Sequence, residues 1–115
     1  MITLSQSSDV YVAVEPVDFR KGINGLCGIC RQKFNQDPSA GAYFMFTNKR
    51  KKCLKIIFYD GSGYWLFMKR LSSGKLPWWP KGSKLSKEDS RVVMTLLLGG
   101  NPQAAEFGTD WKRLI

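Results

Sequence analysis

Histidine is absent from this chain. Its absence excludes Ser-His-Asp and Cys-His nucleophilic machinery, His-containing zinc sites and imidazole acid–base catalysis. Carboxylates are scarce, with nine Asp and Glu against eighteen Lys and Arg in 115 residues. Three of the nine, Asp18, Glu88 and Asp89, stand where helix starts would use them. A metal-dependent nuclease built on Asp18, Asp60 and a third acid would need several converging carboxylates from this short supply. Cysteine is sparse too. The three present are an odd number that makes no disulfide framework and fits a reducing compartment. No apolar run approaches the roughly 20 residues that span a bilayer, and the N-terminus lacks a basic-then-apolar leader pattern. These absences predict a cytoplasmic protein with no membrane segment, no catalytic residue, no metal and no cofactor.

What is present is a one-sided charge. Eleven of the eighteen cations lie between Lys49 and Lys87 with a single acid, Asp60, so that stretch carries +10. The remaining seven cations and eight acids leave the rest of the chain at −1. Aromatic rings alternate with the cations: Phe58, Tyr59, Tyr64, Trp65, Phe67, Trp78 and Trp79 are interspersed with Lys55, Lys69 and Arg70. Positive surface carrying flat rings suits a polyanion whose phosphates are neutralised and whose bases are stacked. A solvated basic surface that maintains solubility is the simpler alternative.

The length supports one domain, 1–115, with a single core, and the apolar and charged fractions of 43% and 23% are those of an ordered globular chain. Val10, Val12 and Val14 alternate in a first β-type run ended by Pro16. Asp18 is a candidate N-cap for a helix whose stripe is Phe19, Ile23, Leu26, Cys30 and Phe34. Gly22, Gly25 and Gly28 weaken that helix by roughly 1 kcal/mol each relative to Ala, and offer a smooth strip for close backbone approach. Residues 42–47, 53–59 and 63–71 are aromatic and β-branched runs joined by short turns, which predicts an antiparallel meander. The sheet is expected to be covered by helix on one side and to expose Lys and rings on the other. After an irregular stretch over 72–83, Ser86 is a candidate N-cap for a second helix running to about Leu98, stopped by Gly99 and Gly100. The prediction is an α+β single domain: an antiparallel three- to four-stranded sheet packed with two main helices.

Four local motifs admit structural or functional readings. Cys27-x-x-Cys30 has the spacing of a metal or redox pair, but Cys53 alone cannot complete four ligands. Two small apolar side chains on a packed helix face is the favoured reading. Asn48-Lys49-Arg50-Lys51-Lys52 is a turn tip with four cations, suited to a phosphate ribbon or simply to blunting a sheet edge. Asp60-Gly61-Ser62-Gly63 reads as a tight turn, since the Lys-Ser/Thr and helix of a phosphate-cradling loop do not follow it. Trp78 and Trp79, set between Pro77 and Pro80, either cap the core or form a stacking and partner-binding surface.

Three blocks in order carry a family resemblance. Val17-Asp18-Phe19-Arg20-Lys21-Gly22-Ile23-x-Gly25-Leu26 is similar to a "D-M/F-R-K-G-I-D-G-L" signature; Leu54-Lys55-Ile56 then precedes Asp60-Gly61-x-Gly63; Lys69-Arg70-Leu71 precedes Gly74 and Trp79-Pro80. Over residues 10–98 the chain resembles the TnpB-type, Orf-two-like accessory protein of the insertion sequence sixty-six family of bacterial transposable elements, which is unrelated to the RNA-guided nucleases sharing the TnpB name. The resemblance implies a small cytoplasmic protein encoded beside the transposase and needed for efficient transposition, without the transposase's catalytic domain. Arg20, Lys21, Lys55, Asp60, Lys69 and Arg70 occupy its characteristic polar positions, and it brings no catalytic assignment. The chain departs where residues 99–108 intervene before Asp110-Trp111.

The expected function is a non-catalytic accessory role in transposition. Its nucleic-acid-binding set is Arg20, Lys21, Lys49, Arg50, Lys51, Lys52, Lys55, Lys69, Arg70 and Lys75, with Trp78 and Trp79 stacking bases or docking a partner. Arg20 and Lys21 would add an anion contact at a helix start. DNA of the element's ends, the transposase and other proteins of the same element are the expected partners; the oligomeric state is unassigned. Docking on the transposase, with little DNA affinity, is the alternative.

Overall fold

A computed structural model describes residues 9–103. Its elements in chain order are β1 (Val10–Ala13), α1 (Ile23–Lys33), β2 (Tyr43–Thr47), β3 (Cys53–Tyr59), β4 (Tyr64–Arg70), β5 (Leu85–Glu88) and α2 (Ser90–Leu97). They build one five-stranded sheet in the order β4-β3-β2-β1-β5. The meander is present: β2–β3 and β3–β4 are antiparallel, with Met45 opposite Ile56 and Ile56 opposite Phe67.

The remainder corrects the expected topology. β1 pairs parallel with β2, Val10 opposite Tyr43, so α1 is the crossover of a βαβ unit. β5 adds antiparallel to β1, Val12 opposite Ser86. The sheet is therefore mixed and five-stranded rather than antiparallel with three or four strands. Ser86 lies within β5 and caps no helix; Asp89 does, its carboxylate accepting from the Arg91 N–H. Asp18 sits four residues before the N-cap position, which Gly22 occupies without a side-chain bond. Its carboxylate instead accepts from the Arg20 backbone N–H in a local turn. The expected stop after α2 is present: the Gly99 and Gly100 N–H groups donate to Leu96 and Thr95 carbonyls, with Gly99 at φ +83°.

Both faces of the sheet are packed, not one. On the first face, Ala13, Phe44, Phe46 and Ile57 meet Leu26, Cys27, Ile29 and Cys30 of α1. On the second, Val10, Val12, Tyr43, Met45, Leu54 and Ile56 meet Val92, Val93 and Leu96 of α2, with Leu76 and Trp79 from the irregular stretch. Phe44 and Phe46 are essentially inaccessible, and burial of each contributes about 1.5–3 kcal/mol. The Cys27/Cys30 pair belongs to this packing, and burial pushes the Cys30 thiol up to about 12. A sheet covered on both faces offers function its ends and its edges. The tail around Trp111 lies outside the described residues.

Candidate nucleic-acid interface

The site is assembled at the end of the sheet where β2 passes into β3. Thr47, fully buried, donates its hydroxyl to the Cys53 carbonyl and closes the hairpin stem. The Asn48 side-chain oxygen accepts from the Lys52 N–H at 3.0 Å, and the Lys51 N–H donates to the Asn48 carbonyl. These bonds fix the backbone internally and leave Lys49, Arg50, Lys51 and Lys52 exposed.

The chain leaving β4 then folds back onto this tip. Leu71 N–H donates to the Lys52 carbonyl at 2.9 Å, and Leu76 N–H to the Lys51 carbonyl at 2.7 Å. Between them, residues 72–75 are exposed, with Gly74 at φ +73° making the turn. Leu76 and Trp79 anchor the far side in the core, where the Trp79 indole N–H donates to the Ala13 carbonyl at 2.9 Å. Two clefts flank the returning segment. One, of about 380 Å³, is lined by Lys51, Leu76, Pro77, Trp78, Trp79, Lys81 and Gln103. The other, also about 380 Å³, is lined by Lys52, Arg70, Leu71, Ser72, Ser73 and Gly74.

Seven cations from three separate segments thus share one end: Lys49–Lys52, then Arg70 and Lys75, then Lys81. The single acid of the basic stretch is at the opposite end of the β3–β4 hairpin, beyond seven strand residues, or about 23 Å at 3.3 Å per residue. Asp60 is also fully used. It accepts from the Ser62 N–H, Ser62 hydroxyl, Gly63 N–H and Trp65 indole N–H, led in effect by the Ser62 N–H, and its carboxyl is held down to about 2. The tight-turn reading of 60–63 is what the geometry shows.

The other expected contact residues are elsewhere. Lys55 is buried at 7% exposure; its ammonium donates to the Phe19 and Lys21 carbonyls at 2.8 and 3.0 Å and lies 4.9 Å from the Phe19 ring centroid. Lys69 stands opposite Leu54 on the second face and donates to the Leu97 carbonyl at the end of α2. These two lysines hold the fold together. Arg20 is 91% exposed but chelated by Asp18 at 2.7 Å; that hydrogen-bonded pairing lowers Asp18 to about 2. Lys21 is exposed. The two tryptophans divide: Trp79 is core and Trp78 is half-buried at the cleft. Lys81 and Gln103 were missed by sequence reasoning. Lys81 had one usable signal, its place just beyond the Trp-Trp-Pro step; Gln103 had none.

Among the described residues, no group of three or more His, Cys, Asp or Glu could hold a metal ion. None of their helices is long and apolar enough to cross a membrane.

Comparison with known proteins adds the lineage. Uncharacterized protein y4jC of Sinorhizobium fredii (strain NBRC 101917 / NGR234) is 44% identical over 75 residues, which cover 65% of this chain and 64% of that protein. The alignment thus spans just under two thirds of y4jC. Uncharacterized protein y4hO of the same strain is 32% identical over 112 residues, 97% of this chain and 90% of the relative. No solved structure matches the chain. The family model described as IS66 Orf2 like protein matches residues 8–106. That match runs from two residues before β1 past the end of α2, taking in the whole sheet and the basic end, and the chain belongs to this family of TnpB-type accessory proteins of IS66 elements.

Proposed function

We propose that this chain serves transposition as a non-catalytic accessory protein, acting in the cytoplasm and holding DNA of its element's ends at the basic end of the sheet. One observation carries the reading: cations from three segments gather around two clefts whose linings contain no acid. Lys49, Arg50, Lys52, Arg70 and Lys75 meet phosphates, while Lys51, Lys81 and Trp78 line the inner cleft. Phosphate contacts of this kind release condensed counterions, so affinity falls steeply with salt. Filter binding of element-end duplex across salt concentrations tests it. Five phosphate contacts predict a slope of log K against log salt of about −4 to −5, and a flat response overturns the reading.

A second reading has its own support in β4. This strand is an edge of the sheet, its outer N–H and C=O groups unpaired by any described strand, and it exposes Trp65 and Met68 at 46% and 57%. An extended segment of the transposase could add there as a further strand. Co-purification with the transposase after nuclease treatment separates the two, because only direct protein contact survives it.

A further inference from the structure

The cleft between the tip and Trp78 has features that neutralising a duplex backbone does not require. We propose that it receives a single unpaired nucleotide, its base on the Trp78 ring and its phosphate between Lys51 and Lys81. This rests on the nucleic-acid reading above and specifies which form of nucleic acid the site selects.

Three observations converge. The first is shape: a cleft of about 380 Å³ lined by Trp78, Lys51, Lys81 and Gln103 among others is within the range of small-ligand sites and brings together the residue types a nucleotide needs. The second is rigidity. Trp78 is half-buried and packs against the core cluster of the second face, next to Trp79, whose indole is tied to the Ala13 carbonyl, so its ring has less freedom to lose on binding than a fully exposed one. The third is backbone conformation. Lys51 adopts φ +56°, and the only other non-glycine at positive φ among the described residues is Asn35. Asparagine tolerates that region, whereas lysine is strained there and glycine would form the turn more easily. The turn thus carries strain at a lysine that lines the cleft, where glycine would form it unstrained.

The selection for an unpaired base follows from what is accessible. In a duplex the faces of each base are covered by its stacked neighbours, so a protein surface reaches only phosphates, sugars and the base edges in the grooves. An unpaired base exposes a face to the ring and an edge to Gln103. The second cleft, at the same end of the sheet and lined by Lys52, Arg70 and Ser72, offers a seat for a further phosphate of the strand.

The test is fluorescence anisotropy with a labelled single-stranded oligonucleotide and its duplex at one fixed salt concentration. The wild type is expected to prefer the single strand. Trp78→Ala should weaken single-strand binding by about tenfold, the scale of one lost base–aromatic stack, and duplex binding by much less. Trp78→Phe keeps a ring and should retain most of the affinity, which guards against a variant that merely misfolds. Lys51→Gly should lose single-strand affinity while its thermal midpoint is unchanged or raised. Equal losses on both probes, or no loss on either, overturn the inference and leave duplex binding standing. Failure of the wild type to bind either probe overturns the parent reading as well.

Discussion

Lys55 shows how a residue's surroundings decide its role. Its strand position puts its side chain on the α1 face, where the connection from β1 crosses and presents the Phe19 and Lys21 carbonyls to it. Its charge is met by those dipoles and by the Phe19 ring rather than by an acid. The ammonium therefore ties residues 19–21 to the sheet across 34 and 36 positions of sequence. Lys55→Met keeps the aliphatic stem but strands both carbonyls, which predicts a loss of about 1–3 kcal/mol, read from urea unfolding, with duplex affinity unchanged in the folded protein. Full stability together with lost affinity would instead return Lys55 to the binding set. Composition could not reveal this. A lysine in an alternating strand reads as solvent-facing unless the crossing segment is known.

At the level of elements, α1 separates the glycines that the sequence presented alike. A side-chain carbon built on Gly25 would lie 2.9 Å from the Lys21 Cβ, in the same connection that Lys55 tethers, whereas Gly22 and Gly28 have no such neighbour within 4 Å. The glycine strip thus has no backbone from elsewhere as its nearest neighbour; what lies close is the Lys21 side chain, at Gly25 alone. Gly28→Ala should stabilise the protein by up to about 1 kcal/mol through helix propensity, while Gly25→Ala should lower the thermal midpoint despite the same intrinsic gain. A melting comparison checks the pair, and stabilisation by both would show that the Lys21 connection yields freely. The meander was legible because its turns are short and its strands alternate, so partners were adjacent in sequence. β1 beside β2 was not, since the choice of a parallel partner is made by packing of α1 between them. β5 was hidden for a different reason: Ser86-Lys87-Glu88-Asp89 carries helix-start chemistry, and only pairing with β1 draws its first three residues into the sheet.

For the whole molecule, the fold sorts a charge that the sequence only counted. Of the eleven cations in the basic stretch, Lys55 and Lys69 are consumed internally, and Lys84 and Lys87 belong to the β5 side, at the opposite edge from β4. Lys87 meets Asp9 at 3.5 Å there, an exposed pair of little consequence for stability. The seven at the tip are left as a local field, and a local field and a net charge make different predictions. Neutralising Lys49, Arg50 and Lys52 to Gln, or Lys33, Lys84 and Lys87 to Gln, lowers the formal charge of +9 by the same three units. Lys51 is left untouched because its backbone is strained. If geometry governs, the first variant flattens the salt slope of duplex binding by about 2–3 and the second leaves it at the wild-type value. If net charge governs, both slopes fall alike, and the end of the sheet is no more a site than any other lysine-bearing surface. Circular dichroism melts should be alike for the two variants, since each set is exposed or, at the β5 edge, weakly paired, so a slope difference would report contact and not unfolding.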